Sequence, residues 1–184
     1  YLQKQKRMFP SDGYRMYFID NHDENSWNGT VESRIGKNAH PAFILCSTMS
    51  QGMPLIYSGQ EVGLNKSLRF FSRDTIDWKT PSQAEFYSKA LALKKSQSSL
   101  ANGGWGGDQK RIQTNNKSVY SFSRKKGRNS VIVFLNFDNK DVQVTYKDVP
   151  KGTYTNWFND EDVTIKKTGE IFLAPNSFLV LTKD

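Results

Sequence analysis

Phe18-Ile19-Asp20-Asn21-His22-Asp23 closes the short aromatic and apolar run Tyr14-Arg15-Met16-Tyr17-Phe18-Ile19. A buried strand reads this way, with β-forming residues that turn abruptly polar where the chain surfaces at the end of a sheet. An imidazole beside a carboxylate at such a mouth can grip a polar substrate and stabilise developing positive charge. No second or third acid stands in a comparable setting in this chain, so the stretch suggests chemistry that is incomplete by itself.

Outward from that stretch the periodicity changes. Thr30 to Gln51 carries Ile35, Ala39, Ala42, Phe43, Cys46 and Met49 at helical spacing, with Pro41 placed to bend or begin part of the helix. Gly52-Met53-Pro54-Leu55-Ile56-Tyr57-Ser58-Gly59 reads as a short apolar strand between two glycines. A loop rich in Asn, Ser and Arg leads to Ser82-Gln83-Ala84-Glu85, a capping-box pattern, and to a helix with Phe86, Ala90, Leu93 and Leu100 on its apolar stripe. Strand, helix, strand, helix is the arithmetic of parallel α/β structure. Gly103, Gly104, Gly106 and Gly107 break this pattern, and the chain beyond them reads as all-β. Strands are expected at 118–123, 130–136, 142–146, 153–158, 170–173 and 177–181, and a spacing near ten residues suggests an antiparallel sandwich. The expected organisation is an α/β part over 1–100 and an all-β domain over 101–184.

Composition narrows the classes. With 184 residues, 36% of them hydrophobic and 13% aromatic, the chain can bury a real core. No run of 18 apolar residues exists, so no membrane span is expected. The formal charge of +8 is spread over scattered Lys and Arg without a zinc-finger, basic-zipper or RNA-binding signature, and no nucleic-acid partner is expected. Cys46 is the only cysteine and sits in an apolar pattern, as a small buried residue does. His40, next to Pro41, reads as a helix residue without a partner. Asp160-Glu161-Asp162 reads as a turn with solvated acids rather than a cation site. The opening Tyr1-Leu2-Gln3, with no initiator Met or signal-like region, is what a mature or excised chain would show.

Three stretches resemble motifs of the alpha-amylase superfamily of glycoside hydrolases. Phe18-Ile19-Asp20-Asn21-His22-Asp23 is similar to the Phe-x-x-Asn-His-Asp motif that ends the seventh barrel strand. Gly52 to Glu61 resembles the eighth strand and its following loop. Asp74-Thr75-Ile76-Asp77-Trp78 resembles the family's Asp-Pro-Ile-Asp-Trp segment, with Thr75 where proline is usual. Their order matches the family, as does an all-β domain after the last barrel helix.

The resemblance implies the last two strand–helix units of a (β/α)8 barrel followed by an antiparallel sandwich domain. It implies a part of a retaining glycosidase acting on alpha-glucans such as starch or maltooligosaccharides. The family's nucleophile Asp and general-acid Glu sit on the fourth and fifth strands, which have no counterpart here, so the chain alone is expected to be inactive. Asp23 matches the family's transition-state stabiliser, and His22 matches a histidine that holds sugar hydroxyls. Asn21 is counted with His22 and Trp27 among the substrate-binding residues, orienting the strand end ahead of touching sugar, and Trp27 is the tryptophan best placed to touch sugar, ahead of Trp78, Trp105 and Trp157. Gln60 and Glu61 are expected to fix the loop after the second strand. No cofactor is expected in this chain, with calcium left to a longer enzyme. The compartment stays open between extracellular, periplasmic and cytoplasmic. A transglycosidase or sugar isomerase of the same superfamily, or a carbohydrate-binding module, remains an alternative. Two barrel strands cannot close a barrel, so the first 100 residues are expected to rearrange, to pack on the β domain, or to self-associate.

Overall fold

The computed structural model describes Pro10, residues 13–78 and residues 83–184. Strands β1 (Arg15–Phe18) and β2 (Gly52–Leu55) run parallel, with Arg15 opposite Gly52 and Phe18 opposite Leu55. A parallel pair needs a long crossover, and here it is helical. It comprises a π-helical turn (Glu24–Asn28), α1 (Val31–Arg34), a 3-10 turn (Gly36–Asn38) and α2 (Ala39–Thr48). The single helix expected from Thr30 to Gln51 is therefore broken. Gly36 takes φ 56°, a left-handed conformation that ends α1, and Pro41 falls in the first turn of α2, where its missing N–H costs nothing. Gly52 lets α2 lie close on the pair, because a Cβ there would meet the Cys46 carbonyl of α2 at 3.0 Å, and the Tyr17 ring of β1 at 2.8 Å.

Helix α3 (Ala84–Ser96) buries Tyr87, Ala90 and Leu93. Ser82 of the capping pattern lies outside the described residues, and Gln83 makes no side-chain cap. Tyr87 is buried, while its expected neighbour Phe86 only packs at the edge of the core. Phe86 instead stacks on His40 at 3.9 Å, and His40 Nε2 meets Gln83 Oε1 at 2.7 Å. The histidine expected to lack a partner thus joins α2 to the start of α3, a contact between residues too far apart in sequence to be read there.

The second half holds nine strands. Six match the expected positions: β5 (Val119–Lys126), β6 (Asn129–Asn136), β7 (Val142–Lys147), β8 (Gly152–Asn156), β10 (Gly169–Leu173) and β11 (Phe178–Lys183). β3 (Asp108–Arg111), β4 (Gln113–Thr114) and β9 (Asp162–Ile165) are additional. β3 and β4 are short and polar, so hydrophobic alternation does not reveal them, whereas β9, Asp-Val-Thr-Ile, alternates over only four residues. Asp162 opens β9, which confines the expected acidic turn to the residues before it. One sheet has the order β3-β5-β6-β11-β8-β9, and the other β10-β7-β4. β6 lies between two cores. Val131, Val133 and Leu135 face Phe43, Ile44, Tyr87 and Leu93 of the helices, while Ile132 and Phe134 face Val144, Tyr146 and Leu173 of the small sheet. Packing on the β domain is therefore one fate of the α/β part. β1 still leaves Met16 and Phe18 exposed on the parallel pair.

A buried arginine pins the junction. Arg124 on β5 is 2% exposed and donates to the carbonyls of Gly107, Thr48, Met49, Leu100 and Ala101. Burial lowers its pKa to about 10. The carbonyls of Thr48 and Met49 lie at the C-terminal end of α2, where the helix dipole is negative. Gly106 and Gly107 are required beside it, since Cβ atoms there would meet Ala101 O at 1.8 Å and Lys125 O at 2.3 Å. Lys94 donates to Leu100 O and Asn102 Oδ1 at 2.7 and 3.0 Å, and burial followed by the charge of Arg124 lowers its pKa to about 8.

Arg124→Met should lower the unfolding free energy by about 3 kcal/mol or more, a Tm loss of roughly 6–12 °C, because five carbonyls lose a charged donor. Calorimetry at pH 7 checks this. Lys94 binds its proton more weakly folded than unfolded, so its contribution to stability rises with pH from about 8 towards the ordinary lysine value near 10.5. Wild type should accordingly gain stability relative to Lys94→Met over that window, measured by urea unfolding at successive pH values.

Candidate active site

The apolar run of β1 ends at Ile19, and the next four residues divide into a buried anchor and an exposed tip. Asp20 is 2% exposed and pairs with Arg34 at 2.8 Å. Burial raises the pKa of its carboxyl, and Arg34, the Asn25 amide and the Asn21 backbone pull it back down. Arg34 also donates to Ile19 O and to Gly29 O, and pairs with Glu24 at 3.1 Å. One guanidinium thus ties the end of β1, the π-helical turn and α1 together.

Asn21 Oδ1 accepts from Glu24 N at 2.7 Å and so starts the π-helical turn. Such turns are uncommon and tend to occur where a side chain must be re-aimed. His22 and Asp23 project beyond it, with side chains 64% and 61% exposed and His22 Nε2 3.7 Å from Asp23 Oδ2. The two groups are solvent-facing and adjacent, an arrangement that can meet two hydroxyls of one sugar ring. Trp27 lies in the π-helical turn and is exposed. Its ring sits 5.3 Å from that of Phe70, which in turn lies 5.7 Å from His22.

The loop after β2 is sewn to this turn. Asn25 accepts from Leu68 N at 2.7 Å and donates to Lys66 O and Asp20, while Ser26 donates to Leu68 O at 2.8 Å and Thr30 to Asn65 Oδ1 at 2.6 Å. Gln60 Oε1 accepts from Tyr57 N, its amide donates to Tyr87 OH, and Glu61 accepts from Gly59 N. These are loop-fixing contacts. Burial and then the charge of Asp20 raise the pKa of Tyr57, which brings that phenol into the same electrostatic neighbourhood. Among the other tryptophans, Trp157 donates to Lys89 O at 2.9 Å as a packing residue, while Trp78 and Trp105 stand exposed. Cys46 is packed against the core, and burial pushes its thiol up to about 12. No group of three or more His, Cys, Asp or Glu that could hold a metal ion occurs among the described residues.

Asp20, Arg34 and Asn25 escaped the sequence reading. An acid inside an apolar strand end is a usable clue to Asp20. Its partner lies on a different element, with nothing local to mark it.

Residues 111–183 match the family described as the alpha amylase C-terminal all-beta domain. Over 177 residues the chain is 26% identical to a beta/alpha-amylase of Paenibacillus polymyxa, covering 90% of this chain and 14% of that protein. Over 172 residues it is 28% identical to an alpha-amylase of Niallia circulans, covering 84% and 29%. The chain thus spans less than a third of the length of either relative. A crystal structure of a maltogenic alpha-amylase, AmyB from Thermotoga neapolitana, superposes with a TM-score of 0.80 at 22% identity, covering 99% of this chain and 44% of that one. Residues 111–183 thus correspond to the C-terminal all-beta domain of alpha-amylases, and the parallel strand–helix part before them shares the fold of the short region that precedes this domain in the solved amylase.

Proposed function

We propose that this chain supplies one wall of the active site of a retaining glycosidase acting on alpha-glucans such as starch or maltooligosaccharides. The observation that carries the reading is the exposed His22–Asp23 pair at the C-terminal end of β1, the end of a parallel α/β unit where catalytic groups collect. Glycosidic cleavage passes through an oxocarbenium-like transition state. A fixed carboxylate that meets the sugar hydroxyls binds more tightly as positive charge grows on the ring, and this is the role of Asp23. His22 donates to hydroxyls of the same sugar and does not act as base. Asn21 sets the direction of both through its bond to Glu24. The nucleophile and general acid come from outside these 184 residues, and the chain by itself does not turn over substrate.

Incubating this chain with soluble starch or maltoheptaose should release no reducing sugar above buffer; robust turnover would overturn the reading. Where the segment is joined to a nucleophile and general acid, Asp23→Asn should lower kcat by about 10²-fold or more with little change in KM, as loss of a transition-state contact does. Arg34 acts as a positioning residue. Arg34→Met strands a buried carboxylate and should cost about 3 kcal/mol at pH 7. The Asp20 carboxyl holds its proton more tightly folded than unfolded, so its contribution is present at acid pH and lost as pH rises through its folded pKa. The variant's deficit should therefore shrink between pH 7 and pH 4, measured by urea denaturation.

A further inference from the structure

By the two-residue period of a strand, the side of β5 that carries Val119 also carries Ser121, Ser123 and Lys125. Val119 lies in the core between the two sheets, but the same face opens at Ser123 and Lys125 into a surface groove. Two cavities of about 460 and 330 Å³, which share Lys110, Ser123 and Pro150, make up the groove. One wall is β3, where Lys110 stands opposite Ser123 and Asp108 opposite Lys125. The other is the turn from β7 to β8, which carries Asp148 and Lys151. That turn is fixed, because Val149 N donates to Lys167 O and Tyr154 Oη to Pro150 O, each at 3.0 Å.

The groove is charged, and its polar groups lack partners. The side chains of Lys110, Lys125 and Lys151 are exposed and have no hydrogen-bond or ion-pair partner among the described residues. Lys167 pairs with Asp148 at 3.5 Å, an exposed contact that contributes little. The Arg111 guanidinium is already engaged by the carbonyls of Val119 and Ser121. Four lysines thus face two aspartates. Ser123 is only 5% exposed and lines both cavities, and its hydroxyl also has no partner among the described residues. A nearly buried hydroxyl left unpaired is costly. Beside several ammonium groups, the acceptor that satisfies it best is an anionic oxygen. Among the described residues no aromatic ring lines the groove, so neither a base nor a pyranose finds a face to stack on. Ammonium groups hold phosphate as point charges, and their spread along a groove suits linked phosphates rather than one ion.

We propose that this groove of the β domain binds a linear oligophosphate, a base-free chain of linked phosphates. Ser123 donates its hydroxyl to one phosphate between Lys110 and Lys125, and Lys151 and Lys167 hold the next along the chain. The site stands apart from the His22–Asp23 pair and does not depend on the glucan reading.

The test is titration of the 184-residue chain with orthophosphate, tripolyphosphate and long-chain polyphosphate, followed by calorimetry and by the amide NMR shifts of Lys110, Ser123 and Lys125. Affinity should rise roughly tenfold or more from orthophosphate to tripolyphosphate, as linked contacts reinforce one another, and should fall as salt is raised to about 0.15 M. Lys110→Gln combined with Lys125→Gln should weaken tripolyphosphate roughly tenfold without moving the melting temperature, since both side chains are exposed. Ser123→Ala should weaken it roughly three- to fivefold. Lys117→Gln combined with Lys140→Gln removes the same charge from the same domain outside the groove, and should change affinity less than about twofold. Equal weakening by the two double variants means attraction to net charge alone, and the groove is wrong. Wild-type affinity in Ser123→Ala overturns the site as drawn. If single-stranded DNA binds as tightly as polyphosphate through the same lysines, the partner is a nucleic acid and the oligophosphate assignment fails. Absence of any heat or amide shift with tripolyphosphate up to about 10 mM overturns the proposal outright.

Discussion

A guanidinium taken out of water needs acceptors on every side, and the architecture of this chain follows from where those acceptors are. Arg124 finds them in the last carbonyls of α2 and in the strap 97–107. Its hydrogen bonds therefore define how the helices sit on the six-stranded sheet. Apolar contacts between Phe43, Ile44, Leu93 and the inner residues of β6 supply most of the favourable burial, but such contacts tolerate sliding. Directional bonds to five carbonyls do not. Lys94, brought to the same strap, titrates low because it is buried there and, to a lesser degree, because it shares the field of Arg124.

Much of this was legible in the chain. The alternation of β5 to β8 follows from branched and aromatic residues with turn residues between them, and β6 is legible because Val131 to Leu135 is apolar on both parities. The glycine cluster at 103–107 is visible as a break, but its cause is tertiary. Gly106 and Gly107 are there because Ala101 and Lys125 leave no room for a Cβ, which no local pattern announces. The short polar strands β3 and β4 owe their state to neighbouring strands rather than to their own residues.

The candidate site shows the same division. The tip, Asn21 to Asp23, resembles a family motif and is readable at once. The support beneath it is assembled from Asp20, Asn25 and Arg34, whose roles exist only once α1 has folded back on the end of β1. A chemical group is recognised by type and order, whereas its scaffold is recognised by proximity. The rings of Phe70 and Phe71 belong to the second kind, since only the staples from Asn25 and Ser26 bring them beside His22.

The junction at Arg124 also bears on how such domains travel between genes. A recombination point at the first strand of the β domain would carry the arginine away from the carbonyls of Leu100 and Ala101, leaving a cation-sized hole in one partner and an unmatched charge in the other. A point before residue 97 moves arginine, glycines and strap together, so that of the five acceptors of Arg124 only the two carbonyls at the end of α2 must be supplied by the recipient. Every helix of that orientation ends in free carbonyls. Arginine, glycines and strap thus belong with the sandwich as one unit, while the helix face of Phe43, Ile44, Tyr87 and Leu93 must still match the inner residues of β6.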